Sequence, residues 1–229
     1  MSSPDYIVYV VDDDVGMREA FRELFTSLDV PAVTFGSVAE YVEYAKPDMP
    51  ACLLLDVELP DINGLDFQRQ LRDAAHPPIV FITGHGDIPS SVRAIKDGAV
   101  DFLVKPFSQE DLMAAIDAGV ASDQRARLEA AERARLQQRY SSLTPRESQV
   151  LPLIVSGLLN KQAAAELGIS EVTLQIHRSR IMQKMAAESF ADRVSRSTRC
   201  SFRRVVNELT APSDGCPRTS SHRPRCERG

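Results

Sequence analysis

The chain has 229 residues, 43% hydrophobic and 26% charged, with a formal net charge of −5, a composition suited to one or two globular domains. No apolar run approaches the roughly 20 residues of a membrane-spanning helix, and the start MSSPDYIV lacks the charged head and apolar stretch of an export signal, so no membrane association and a cytoplasmic location are expected. Cys52, Cys200, Cys216 and Cys226 form no C-x-x-C pair and are too few for a disulfide framework, which leaves free thiols.

The charge is unevenly spread. Residues 1–120 hold 8 Lys and Arg against 21 Asp and Glu, whereas residues 121–229 hold 19 against 11. An acidic half joined to a basic one suggests that the second half meets a polyanion, nucleic acid foremost.

In chain order, short β-rich runs at Tyr6–Val11, Ala32–Phe35, Cys52–Leu55, Ile79–Ile82 and Val100–Val104 alternate with amphipathic stretches such as Met17, Ala20, Phe21, Leu24, Phe25 and Leu28. Runs like VYVV, CLLL and IVFI are apolar nearly throughout, as strands covered on both faces must be. The pattern predicts an α/β doubly wound, flavodoxin-like domain over 1–120. From Ser108 to Tyr140 the Ala, Arg, Glu and Leu content predicts a long helix with Gly119 as a possible break, residues 121–140 forming a helical linker. Its apolar positions Leu128, Ala131 and Leu136 are sparse for a coiled coil.

An all-α domain is predicted over 141–191. Thr144-Pro145-Arg146-Glu147 fits a capping box. A second helix runs from Asn160 to Leu167 and stops at Gly168, and Ser170 caps a third through Met185. Helix, glycine turn, helix is the helix-turn-helix pattern. On the third helix Leu174, His177, Ile181 and Met185 form an inward stripe, while Gln175, Ile176 and Ser179 lie on another side. Residues 192–229, rich in Arg, Ser, Thr and Pro, form an atypical basic tail expected to be mostly disordered, with a possible fourth helix near Ser189.

Several strands end on polar residues: Asp12 and Asp13 after the first, Asp56 after the third, Thr83 after the fourth and Lys105 after the fifth. In a parallel sheet those ends form the ligand crevice. Clustered carboxylates need a cation, and all-oxygen ligands suit Mg²⁺. A structural acidic cluster is the bland alternative, Gly64 reads as a turn residue, and His85 reads as a loop residue rather than an acid or base.

YVVDDD, LLLDVELPDINGLD, FITGHGDI and GAVDFLVKPF resemble the receiver domain of bacterial two-component response regulators over about residues 5–120. The resemblance implies Asp56 as phosphoacceptor, Asp13 as a direct Mg²⁺ ligand, Asp12 acting mostly through water, and the Glu58 backbone carbonyl as a further ligand. Thr83 and Lys105 would contact the phosphoryl oxygens, and Phe102 would be the switch aromatic that follows Thr83. The face of Val92, Ile95, Val100 and Phe102 would form a homodimer on phosphorylation.

Residues 143–190 resemble the LuxR-type helix-turn-helix, and GHGDIP with GLLNKQAAAELGISEVTLQIHR points to the FixJ/StyR-like branch of response regulators. This implies double-stranded DNA, a sensor histidine kinase and RNA polymerase as partners. Gln175 could read adenine, with Ile176 and Ser179 beside it in the major groove and Lys161, Arg178, Arg180 and Lys184 on phosphates.

Pro152 inside the first helix of this domain predicts a kink or a shortened helix, and the chain after Asp192 does not continue the apolar pattern with which the family closes its bundle. A second reading is therefore a dimerising receiver with an impaired DNA-binding domain. A hydrolase is a third, but its D-x-D sits on the first strand with an oxygen-bearing residue after it, whereas Asp14 is followed by Val15. Only slow self-phosphorylation and phosphate loss are expected as catalysis.

Overall fold

The computed structural model describes residues 5–71, 76–84 and 88–185, without the side chains of 88–90. His85 and the stretch from Ser189 onward, including the expected basic tail, lie outside the described residues. The chain divides into two compact units, Met1–Ala131 and Glu132–Gly229.

The first unit is a five-stranded parallel sheet of β1 (Ile7–Val11), β2 (Ala32–Phe35), β3 (Ala51–Asp56), β4 (Ile79–Thr83) and β5 (Asp101–Val104), ordered β2-β1-β3-β4-β5. Helices α1 (Val15–Ser27), α2 (Val38–Glu43), α3 (Gly64–Gln70), α4 (Ile88–Lys96) and α5 (Gln109–Ser141) follow the strands in turn. Every residue of β1, β3 and β4 is buried because both faces are covered. Tyr9, Leu53, Leu55 and Phe81 face one way and pack with Tyr41 of α2, Phe67 of α3 and Ala94 of α4. Val10, Leu54, Val80 and Ile82 face the other way, against Phe21 and Phe25 of α1 and Leu112 and Ile116 of α5. The strand order reverses between β1 and β3, which places the ligand crevice at their carboxyl ends.

Gly119 does not break α5, which runs unbroken from Gln109 to Ser141. Its role is close approach: a Cβ there would lie 2.6 Å from Cys52 Sγ on β3. The thiol is fully buried, and burial pushes its pKa up to about 12.

The second unit holds α6 (Pro145–Val155), α7 (Asn160–Leu167) and α8 (Glu171–Lys184). Their apolar stripes meet in a core of Val150, Leu151, Ile154, Ala163, Ala164, Leu174, Ile181 and Met185. Thr144 caps α6 reciprocally, its N–H donating to Glu147 Oε2 at 2.8 Å while Glu147 N–H donates to Thr144 Oγ1 at 3.3 Å. Pro152 lies inside α6, which nevertheless stays helical for three more residues and ends at Val155. Gly168 closes α7 at φ 64°, and Ser170 caps α8 by accepting from Thr173 N–H. His177 is half-buried, and its Nδ1 has no partner among the described residues.

Lys184 departs from the sequence expectation. Its ammonium donates to Glu147 Oε2 at 2.7 Å and to the Ser142 carbonyl at 3.0 Å, tying the end of α8 to the start of α6 instead of facing outward to a phosphate. Glu147 is 2% exposed. The Lys184 ammonium, then the Thr144 N–H, hold its carboxyl down at about 2.

Two expectations follow. Gly119→Ala overpacks the sheet and costs about 1–3 kcal/mol in chemical denaturation, and adding Cys52→Ala recovers part of that loss. Lys184→Met leaves a buried carboxylate without its cation and lowers the stability of α6 and α8 by about 1.5–3 kcal/mol, read as faster amide exchange there. Because the Glu147 pKa is depressed on folding, its contribution is fully present above the ordinary value of 4.5 and fades as pH falls toward 2. An acid titration of amide exchange shows this decline in the parent chain and a shallower one in Lys184→Met.

Candidate functional site

Asp12 follows β1, Asp56 ends β3, Thr83 ends β4 and Lys105 follows β5, so four adjacent strands deliver these side chains to one end of the sheet. Lys105 Nζ donates to Asp12 Oδ2 at 2.8 Å and to Asp56 Oδ2 at 2.7 Å. The second oxygen of each carboxylate accepts a backbone N–H, from Asp14 for Asp12 at 2.9 Å and from Glu58 for Asp56 at 2.8 Å. Thr83 is fully buried, and its carbonyl accepts from Lys105 N–H at 2.8 Å. One carboxylate oxygen from each of Asp12, Asp13 and Asp56 lies within 4.8 Å of the other two, and Asp13 is exposed.

Burial raises the Asp12 pKa and the Asp56 charge adds to this, while Lys105 and the Asp14 N–H oppose it. Burial alone would lower the Lys105 pKa, but its hydrogen bonds to Asp12 and Asp56 outweigh that effect and hold it above its ordinary value. The ammonium therefore stays charged between two acids. Three hard oxygen donors with an exposed member fit Mg²⁺, which keeps several waters and takes only one or two carboxylates.

Three supporting residues escaped the sequence reading. Arg18 of α1 donates to the Asp12 carbonyl at 2.7 Å. Asp14 caps α1 by accepting from Gly16 and Met17 N–H, which fixes the turn carrying Asp12 and Asp13. Gly64, read as a turn residue, serves close approach instead: a Cβ there would meet the Asp56 carbonyl at 2.4 Å. The Asp14 cap was legible as an acid just before an amphipathic run; Arg18 and Gly64 carry no local signal.

Phe102 is half-buried against the α2–α4 side, 6.3 Å from the Phe81 ring. Val100 packs on the opposite, α1/α5 side, so the expected surface of Val92, Ile95, Val100 and Phe102 is not one continuous face. Val92 and Ile95 on α4 are exposed.

On α8, Gln175, Ile176, Ser179 and Arg180 are exposed, opposite the buried Leu174 and Ile181. Arg178 donates to Asn160 Oδ1 at 3.1 Å and lines, with Lys161 and Glu171, a cleft of about 640 Å³. Lys184 instead pairs with Glu147.

Residues 8–117 match the response regulator receiver domain, and residues 141–196 match the bacterial regulatory proteins of the luxR family. Nodulation protein W of Bradyrhizobium diazoefficiens is 47% identical over 86% of this chain and 87% of its own length. Response regulator protein TodT of Pseudomonas putida is 43% identical over 85% and 86%. A solved structure of the response regulator StyR, 41% identical, covers 90% of this chain and all of its own with a TM-score of 0.70. With both family matches placed on the two units just described, the chain belongs to the two-component response regulators that join a receiver domain to a LuxR-type DNA-binding domain.

Proposed function

We propose that Asp56 is the residue through which this response regulator is switched on, accepting a phosphoryl group from a sensor histidine kinase. The observation that carries this reading is the single Lys105 ammonium held at 2.7–2.8 Å from both Asp56 and Asp12. An Asp56 oxygen attacks phosphorus, the new O–P bond forms as the N–P bond to the donor histidine breaks, and Lys105 and the Thr83 hydroxyl meet the transferred oxygens. A bound Mg²⁺ would neutralise charge on the phosphoryl group, held by Asp13, Asp56 and the Glu58 carbonyl, with Asp12 acting through water. Slow self-phosphorylation from small donors and slow loss of the phosphate accompany this arrangement, in a cytoplasmic protein. Phe102 follows Thr83 as the switch aromatic, and exposed Val92 and Ile95 on α4 contribute to a phosphorylation-dependent homodimer. The domain boundaries are 1–120, 121–140 and 141–191.

In the second unit α8 is the groove-reading helix, with Gln175 bidentate to adenine and Ile176 and Ser179 beside it. Lys161, Arg178 and Arg180 contact phosphates, and bound dimers act on transcription through RNA polymerase.

Asp56→Asn abolishes acid-labile phosphoryl incorporation from a kinase or small phosphodonor while leaving the circular-dichroism spectrum unchanged; stoichiometric labelling of this variant would overturn the assignment. Asp13→Ala keeps the nucleophile and weakens Mg²⁺ binding, measured by titration of the metal alone. Gln175→Ala costs about 1–3 kcal/mol on the preferred duplex and relaxes discrimination at one A·T pair. Equal weakening on preferred and scrambled duplexes would remove Gln175 from base reading.

A further inference from the structure

Two branched aliphatic side chains stand out on α8. Val172 is 68% exposed and Ile176 is 49% exposed. Both lie on the side turned away from Leu174 and Ile181, which are 1% exposed and seal that helix to its own core. A helix that has already buried one apolar stripe gains nothing for its fold from a second one in water. The residues around them are polar and exposed: Glu171, Thr173, Gln175 and Ser179. The apolar pair is thus a narrow strip one turn long within a hydrophilic surface, at the amino-terminal end of the second helix of the helix-turn-helix.

We propose that Val172 and Ile176 read the C5-methyl groups of thymines in the major groove. The inference rests on α8 being the groove-reading helix and adds the chemical class of base that it selects. In helix-turn-helix proteins the amino-terminal residues of this helix meet base edges. The major groove offers few apolar features, and the thymine methyl is the one for which an aliphatic side chain is the natural partner. Spacing supports two contacts rather than one: residues i and i+4 on a helix are about 6 Å apart along its axis, and successive base pairs are about 3.4 Å apart. The two side chains therefore address thymines on neighbouring base pairs or with one pair between. Gln175, adjacent in sequence to Ile176, suits adenine through N6 and N7, so all three residues favour A·T pairs.

The test uses the full chain, treated with a small phosphodonor, to select duplexes from a random library. Each thymine of the selected duplex is then replaced singly by deoxyuridine, which keeps every hydrogen-bonding group and removes only the methyl. The parent chain loses roughly three- to five-fold in affinity at each of two thymines, the worth of one buried methyl-sized group. Val172→Ala becomes insensitive to the replacement at one of these positions and Ile176→Ala at the other. Both variants shorten exposed side chains to the best helix former, so folding is retained. Parent affinity that ignores every replacement, or sensitivity that persists in both variants, overturns the inference and leaves α8 as the reading helix. A chain that selects no sequence overturns both together.

Discussion

Two carboxylates at the carboxyl ends of adjacent parallel strands repel one another, and the first unit is organised around the ammonium that makes their proximity tolerable. β1 and β3 are neighbours where the sheet order reverses, so Asp12 and Asp56 meet by topology. Asp12 is 1% exposed, and an isolated charge so buried would take up a proton. Lys105 arrives from the far side of β4 and satisfies one oxygen of each acid. The remaining oxygens accept backbone N–H groups from the loops that follow, so each carboxylate is held at both ends. Gly64 and Arg18 belong to the same constraint, since the loop after β3 must fold against the Asp56 carbonyl and the turn after β1 must be anchored from α1.

Two acids and one ammonium leave these strand ends formally one charge negative, and Asp13 adds a second. An aspartyl phosphate would carry up to about two negative charges where the carboxylate carried one. One ammonium shared by two acids has nothing left to offset them, which is why a divalent ion belongs to the chemistry. The polar groups able to respond are at hand on the neighbouring strand ends: Thr83 is buried beside Lys105, and Phe102 on β5 packs only partly against Phe81. Phe102 can therefore change its burial at lower cost than a ring such as Phe81, which is fully enclosed.

How far the sequence could be read depended on whether a feature was local. Strand ends carrying Asp12, Asp56, Thr83 and Lys105 were legible because apolar runs stop abruptly at them, and the capping box at Thr144 and the left-handed stop at Gly168 are local chemistry with fixed spacing. Gly119 and Gly64 were misread because a glycine's local meaning is flexibility or a turn, while here each is small for the sake of a distant neighbour, the Cys52 thiol or the Asp56 carbonyl. Val100, grouped with Phe102 on the expected dimer face, packs in the cluster on the other side of the sheet. Pro152 does not stop α6 at once: the helix continues to Val155, and Leu151 and Ile154 are packed in the core. Among the described residues, the cores of α6, α7 and α8 meet in one cluster.

Among the contacts not legible in the sequence, that of Lys184 has the widest consequence. As a cation near the end of the helix proposed to read the groove it suggests a phosphate contact, yet it pairs with Glu147, 37 residues away in sequence. Each phosphate neutralised on duplex DNA contributes a slope of about 0.9 to the salt dependence of binding. If Glu147 keeps Lys184 on a bound duplex, the sequence-independent part of binding is smaller by one such contact. Arg178 is further constrained by its hydrogen bond to Asn160, which orients the guanidinium from α7. Helix α8 is thus used on three sides: Leu174 and Ile181 hold it to the core, Lys184 fixes its far end through a buried acid, and the outer ridge is left for Gln175, Ile176 and Ser179.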